Sequence, residues 1–114
     1  MDKLVARALI LASVVLAAPA AGAVDGFILL NQTGAALREV ALRRVGEGDW
    51  QRLALSPAPG ASARASFKHN DCAFDIRATI AGIGQIMWSG VNLCDVKRVT
   101  LNRDSSGRHW VDYD

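Results

Sequence analysis

The clearest fold signal in this chain is the stretch CAFDIRATI, residues 72–80. Its even-numbered positions are all apolar, whereas three of its four odd-numbered positions carry Asp75, Arg77 and Thr79. An apolar side chain at every second position is typical of a half-buried β-strand. We therefore expect Phe74 and Ile76 to face a core, and the three polar side chains to face outward.

Weaker strand patterns flank this stretch and are separated by turns rich in Gly, Pro, Asn and Asp. Strands are expected from Phe27 and over residues 37–45, 50–55, 62–67, 85–93, 96–102 and 109–113. Turn signals about every ten residues indicate a sandwich or barrel. The prediction is an all-β, small single-domain antiparallel β-sandwich of about seven or eight short strands. Leu37–Arg44 is rich in helix formers, so a helix competes with the favoured strand there.

Length and composition exclude several classes of protein. The 114 residues are 51% apolar and 21% charged, which excludes intrinsic disorder and leaves room for one domain. The 13 basic and 11 acidic side chains give a net charge of +2, too small to indicate nucleic-acid binding. The short basic pairs Arg43-Arg44 and Lys97-Arg98 have acidic neighbours and are interpreted as solvated faces.

Residues 1–23 have the layout of a secretory signal peptide. Lys3 and Arg7 precede an apolar run over residues 8–18, and Pro19 and the small residues 21–23 follow it. The run is shorter than the roughly 20 residues of a membrane-spanning helix. It also lacks the polar face expected of a buried N-terminal helix, which is the alternative. We expect cleavage after Ala23, a mature domain over 24–114, a periplasmic or secreted location and no membrane span after cleavage.

The two cysteines, Cys72 and Cys94, both lie in the mature part. An even number of cysteines in a small exported domain indicates a disulfide bond. Closing this loop would stabilise the fold by roughly 3 kcal/mol in the chain-entropy model. A zinc site needs about four ligands, and neither histidine has ligand spacing to the cysteines. A redox pair would normally be Cys-x-x-Cys.

Several short motifs occur together in a fixed order. They are Asn31-x-Thr33-Gly34, Trp50 before a Pro/Gly turn, Cys72-x-x-Asp75-Ile76-Arg77, and Asn92-Leu93-Cys94. In this combination the chain resembles a family of small exported, mostly uncharacterised proteobacterial proteins. The resemblance covers about residues 27–101. It implies a small β protein with a signal peptide and one cysteine pair, and it implies no particular chemistry.

Some members of that family carry the name argininosuccinate lyase. That enzyme is a large helical tetramer whose active sites are shared between subunits. A β-rich mature chain of this size cannot build such an assembly, so the name does not predict the activity of this protein.

A binding surface is expected on the outward side of the strand at 72–80. Asp75 and Arg77 can hold a polar ligand by charge-assisted hydrogen bonds, and Thr79 lies beside them. Trp50 and Asn92 would extend this surface at the end of the sandwich. The competing interpretation is an exposed ion ladder that contributes only a few tenths of a kcal/mol. The expected partner is a periplasmic protein or a small polar ligand.

The alternative function is a small periplasmic hydrolase that uses His69 or His109. Catalysis would require a nucleophile, a base and an orienting acid to converge in one pocket. No Gly-x-Ser-x-Gly elbow is present. We therefore expect a non-catalytic binding or protein-interaction module with no cofactor and no metal. Of the remaining tryptophans, Trp88 is expected in the core and Trp110 beside a turn.

Overall fold

The computed structural model describes residues 24–114, and the regular secondary structure in that range consists of β-strands alone. The eight strands are β1 (Val24–Gln32), β2 (Leu37–Arg44), β3 (Gln51–Arg52), β4 (Ser62–His69), β5 (Ala73–Ile80), β6 (Gly84–Asn92), β7 (Arg98–Arg103) and β8 (His109–Tyr113). The prediction of an all-β sandwich is confirmed. The predicted signal peptide at 1–23 lies outside the described residues.

The strands form two four-stranded sheets. The first has the order β4-β1-β7-β8 and the second has the order β3-β2-β5-β6. All neighbours are antiparallel except β1 and β7, which are parallel. A parallel pair needs a long crossover connection. Here that connection is long because the chain forms all four strands of the second sheet between β1 and β7. The predicted antiparallel sandwich did not include this parallel pair.

The core lies between the inward faces of the two sheets. Phe67 of β4 meets Phe74 of β5 edge to face, with ring centroids 5.2 Å apart. Trp88 of β6 is 2% exposed, and its Nε1–H donates to the carbonyl of Asn102 in β7 at 3.3 Å. The predicted core position of Trp88 is confirmed, and its indole nitrogen has the partner that a buried polar atom requires.

A disulfide bond joins Cys72, just before β5, to Cys94, just after β6. The two Cα atoms are 5.1 Å apart. The N–H of Leu93 also donates to the carbonyl of Cys72 at 2.9 Å. The bond therefore closes the open end of the β5–β6 hairpin, and the predicted pairing is confirmed.

The Asn31-x-Thr33-Gly34 motif has a structural role. Asn31 is fully buried, and its Nδ2 donates to the carbonyls of Ala35 and Pro57 at 2.7 and 2.9 Å. Its Oδ1 accepts from the N–H and the hydroxyl of Thr33 at 2.9 and 2.6 Å. One asparagine thus holds the turn after β1 and ties it to the proline-containing loop that precedes β4.

The ambiguous segment Leu37–Arg44 is strand β2, because it pairs with β5 along its length. Tertiary pairing overrides the helix propensity of its residues. The expected strand at 50–55 is reduced to the two residues of β3. The N–H of Leu53 still donates to the carbonyl of Val40, but that of Leu55 turns back to the carbonyl of Leu53, which ends the pairing.

Candidate functional site

The predicted outward side of β5 lies in the middle of the outer surface of the second sheet. Asp75 is paired in register with Arg43 of β2, and Arg77 with Ala41. On the far side of Ala41 lies Arg52 of β3. Because in-register side chains share a face, these residues form one continuous outer surface. We call the surface formed by Trp50, Asp75 and the four arginines at 38, 43, 52 and 77 the arginine face.

Asp75 is not the exposed residue that the sequence pattern predicts. It points outward as expected, but it is only 6% exposed. Its Oδ2 lies 3.1 Å from Nε of Arg43, and its Oδ1 accepts from the backbone N–H of Gly90 at 3.0 Å. The expectation of an exposed Asp75 was wrong because both oxygens are covered by neighbouring strands. Asp75 holds the surface together rather than offering a free carboxylate.

A β-bulge in β6 brings Gly90 onto this carboxylate. Between the pairs Phe74–Val91 and Ile76–Trp88, β5 contributes one residue and β6 contributes two. An extra residue on one strand leaves backbone groups unpaired and bends the strand. Gly90 adopts a φ of +66°, a conformation that glycine reaches at little cost. The bulge thus supplies an N–H donor where β5 carries an acidic side chain.

Trp50 lies between two arginines of this surface. The guanidinium carbon of Arg43 is 4.5 Å from a ring centroid of Trp50, and that of Arg77 is 4.2 Å from it. Contacts within about 6 Å are stabilising cation–π interactions. The half-buried ring therefore limits the freedom of both guanidiniums. Trp50 and Arg77, two of the predicted site residues, are in contact with each other.

Thr79 joins the same surface through a hydrogen bond to β2. Its hydroxyl donates to Oε1 of Glu39 at 3.0 Å. Glu39 lies in an irregularity of β2 between Arg38 and Ala41 and has a φ of +49°, which is uncommon for a residue with a side chain. The hydroxyl of Thr79 is thus engaged within the protein.

Asn92 does not join this cluster. It is paired with Ala73, four positions along β5 from Arg77, which corresponds to about 13 Å of strand. Its Oδ1 accepts from the N–H of Cys94 at 2.9 Å, and its own N–H donates to the hydroxyl oxygen of Tyr113 at 3.0 Å. The structure assigns Asn92 to the turn beside the disulfide bond.

The arginine face carries excess positive charge. Four guanidiniums stand against the carboxylates of Asp75 and Glu39, so the net charge is +2. Within residues 24–114, Arg43 is ion-paired with Asp75, whereas the other three arginines are in no ion pair. The N–H groups of Arg38, Arg52 and Arg77 are therefore open to an anionic partner.

A cavity of about 580 Å³ lies at one end of the sandwich and shares Arg43 with the arginine face. Arg44 spans it, pairing with Asp71 through Nε and with Glu47 through Nη1 at 2.9 Å. The hydrogen bond from Arg44 holds the pKa of Asp71 below its ordinary value, and the N–H of Cys72 acts in the same direction. Asp71 is therefore a tightly held carboxylate, which is poorly suited to accept a proton.

The two histidines of the hydrolase alternative lie apart. His69 lines that cavity at the end of β4, where its ring stacks on Phe67 and meets Phe74 edge to face. His109 begins β8, at the opposite edge of the same sheet. Three inter-strand spacings separate these edges, at least about 14 Å. Among the described residues that line the cavity with His69 there is no serine.

Residues 24–114 also contain no group of three or more His, Cys, Asp or Glu side chains arranged to hold a metal ion. In the same range, no helix is long and apolar enough to cross a membrane.

Sequence reasoning missed Arg38, Arg43 and Arg52. The pair Arg43-Arg44 was interpreted as one solvated cluster, but the two side chains diverge: Arg43 binds Asp75, and Arg44 binds Asp71. The missing signal was the register of β2 against β5, which no local pattern contains. With that register known, Arg43 could have been identified as the residue of β2 that lies opposite Asp75 on the outward face.

The fold is also found in a known structure. A structure described as "NMR structure of the protein from Eubacterium rectale" matches with a TM-score of 0.55 and 16% sequence identity, over 85% of this chain and 93% of that chain. At this identity the likeness establishes the fold alone. No family model and no curated protein matches the chain.

Proposed function

We propose that this protein is an exported, non-catalytic binding domain that uses the arginine face to bind an acidic segment of a partner protein. The observation that carries the proposal is the group of arginines near Trp50 that have no ion-pair partner within residues 24–114. Arg77 is held against the indole ring, and Arg52 lies two strand spacings away, about 10 Å. Guanidiniums held in place bind carboxylates with less loss of side-chain entropy.

The shape of the surface favours a polypeptide over a small molecule. Small ligands bind in concave sites that bury most of their surface. A sheet face is broad and shallow, and here the guanidiniums that lack an ion-pair partner within residues 24–114 are spread over three strands, β2, β3 and β5. An extended segment with several carboxylates can contact Arg38, Arg52 and Arg77 together, so that individually weak contacts add up.

Three observations support the exported and non-catalytic parts of the proposal. The Cys72–Cys94 bond is consistent with an oxidising compartment. The apolar leader and the resemblance to small exported proteobacterial proteins favour the same location. His69 and His109 lie at opposite edges of the first sheet, and the Asp71 carboxylate that lines the cavity with His69 is engaged by Arg44, so the two histidines do not share one site. Export is tested by intact mass of the protein from a periplasmic extract, which should begin at Val24.

Binding is tested with poly-L-glutamate as the probe, in low-salt buffer, by fluorescence anisotropy. The variant Arg52→Ser with Arg77→Ser should weaken binding by at least about tenfold, because each charged hydrogen bond contributes roughly 1.5–3 kcal/mol. The matched control, Arg64→Ser with Lys68→Ser, removes the same charge from β4 of the other sheet.

The comparison separates site binding from general electrostatic attraction. The control should keep its affinity within about twofold, and added NaCl should weaken binding of the wild type. Equal losses in the two double variants would contradict the proposal, and so would wild-type protein that does not bind the polymer. A second titration with inorganic polyphosphate tests the carboxylate preference, because tighter binding of polyphosphate would identify a phosphate-bearing partner instead.

A further inference from the structure

A second interaction surface lies at the edge of the first sheet. Edge strands expose unpaired backbone groups, and proteins protect them by shortness, by bulges or by charged side chains. The edge strand β3 has two residues, β6 is interrupted by its bulge, and β4 carries Arg64 and Lys68. Strand β8, with the sequence HWVDY, has no bulge, proline or lysine, and Asp112 is its one acidic or basic side chain apart from His109. It is the least protected edge of the described domain.

Alternate residues of β8 direct their backbone groups away from the domain. Asp114 exchanges both backbone hydrogen bonds with Arg98, and the carbonyl of Arg108 accepts from the N–H of Asp104. Because hydrogen-bonded positions alternate along an antiparallel strand, Trp110 and Asp112 also turn their backbone groups toward β7. The N–H and C=O groups of His109, Val111 and Tyr113 therefore point to the free side, where no other described strand pairs with them.

Exposed apolar side chains are concentrated beside this free edge. Five large hydrophobic residues are exposed in the described domain, and three of them are Met87, Trp110 and Tyr113, at 39%, 44% and 45%. These three line one groove of about 240 Å³ between β6 and β8. Apolar surface gathered in one place beside an open strand edge is typical of a protein interface.

We propose that a second copy of this chain pairs with β8 in antiparallel orientation, with Val111 opposite Val111 of the second copy. This register uses all three outward-facing backbone positions. His109 then pairs with Tyr113 of the second copy, and the two-fold arrangement forms about six backbone hydrogen bonds. The first sheets of the two copies would join into one continuous eight-stranded sheet.

The outward side chains of β8 are complementary to themselves in this register. Trp110 faces Asp112 of the second copy, which places an indole N–H donor beside a carboxylate. Just beyond the strand, Arg108, which is ion-paired with Asp104 of its own copy, faces Asp114 of the second copy, which is ion-paired with Arg98 of that copy, so two ion pairs meet at each end with opposite charges adjacent. Asp112 does not face its own counterpart, and no like charges stand directly opposite, which would weaken the pairing. This charge complementarity favours a second copy as the occupant of the edge.

The test is the mass of the oxidised mature protein by size-exclusion chromatography with light scattering, at about 1 to 500 µM, which covers weak homodimers. Wild-type protein should approach twice the protomer mass as concentration rises. Trp110→Asp places an acid opposite Asp112 of the second copy and should raise the dimer Kd at least about tenfold relative to Trp110→Lys, which places a base there.

A backbone variant provides an independent measurement. The N–H of Val111 points to the free side, so Val111→Pro removes no hydrogen bond within one copy but removes two across the interface. It should be monomeric at every concentration and keep the wild-type circular dichroism spectrum. The proposal would be overturned if the wild type stayed monomeric at every concentration. It would also be overturned if Trp110→Asp and Val111→Pro dimerised as the wild type does. Neither outcome affects the arginine face, which the double variant Arg52→Ser with Arg77→Ser tests separately.

Discussion

Replacement of Asp75 by alanine is expected to destabilise the domain far more than replacement of Arg77, although both residues point outward from the same strand. Asp75→Ala removes the ion pair with Arg43 and the hydrogen bond from Gly90. Hydrogen bonds to charged groups contribute roughly 1.5–3 kcal/mol each. The Arg43 side chain is 27% exposed and can recover part of its hydration. We therefore expect a loss of about 2–4 kcal/mol in the free energy of unfolding.

Two further variants of this surface distinguish the contributions. Asp75→Asn keeps an oxygen that can accept from Gly90 but loses the ion pair, so the expected loss is about 1–2 kcal/mol. Arg77→Ala removes only a partly exposed guanidinium and its contact with Trp50, and its expected loss is below about 1 kcal/mol.

The assay is urea-induced unfolding of the oxidised protein, followed by circular dichroism at constant pH. The m-value should be the same in all variants, because the surface exposed on unfolding does not change. If Asp75→Ala and Arg77→Ala lose the same amount within about 0.5 kcal/mol, the burial argument is wrong. In that case Asp75 would behave as a member of an exposed ion ladder.

Three shorter predictions follow from other contacts. Cys94→Ser should lower the free energy of unfolding, measured by urea titration, by roughly 2–5 kcal/mol. Reduction of the disulfide bond in the wild type should lower it by the same amount. The hydroxyl of Ser106 and the Arg108 guanidinium lower the pKa of Asp104 from 3.8 to about 2. The stabilising contribution of the Asp104 carboxylate should therefore be fully present above pH 4 and be lost as the pH falls toward 2. A carboxyl titration by NMR with a midpoint near 4 would contradict this. Trp50→Ala should leave the fold intact but weaken poly-L-glutamate binding severalfold, because Arg77 loses the ring that holds it; unchanged affinity in the anisotropy assay would exclude that role.

The arginine face and the β8 edge belong to different sheets and can operate independently. The first presents fixed positive charge, whose attraction to an acidic partner weakens with salt. The second presents mainly backbone hydrogen-bond groups and apolar side chains, so salt should weaken it less and act only on the charges at the two ends of β8. A dimer formed through β8 would carry two arginine faces, and a partner with repeated acidic segments would then bind more tightly through both than through one.

The sequence by itself determined the features that depend on local pattern. Alternation at 72–80 predicted β5 and its inward side, because successive side chains of a strand point to opposite faces. The presence of two cysteines in a chain with an apolar leader predicted the disulfide bond, since chemistry and compartment decide that pairing. Trp88 was correctly placed in the core because it continues the alternation of β6.

Only the tertiary structure decided which outward residues are available to a partner. Asp75 and Arg77 are equivalent in the alternation of β5, yet one is buried and the other is not. The difference arises from Arg43, thirty-two positions earlier in the chain, and from a bulge at Gly90 in the next strand. Strand register and bulges are set by contacts between segments distant in sequence. For that reason the burial of Asp75, the contact of Trp50 with two arginines and the parallel pairing of β1 with β7 could not be predicted from local sequence.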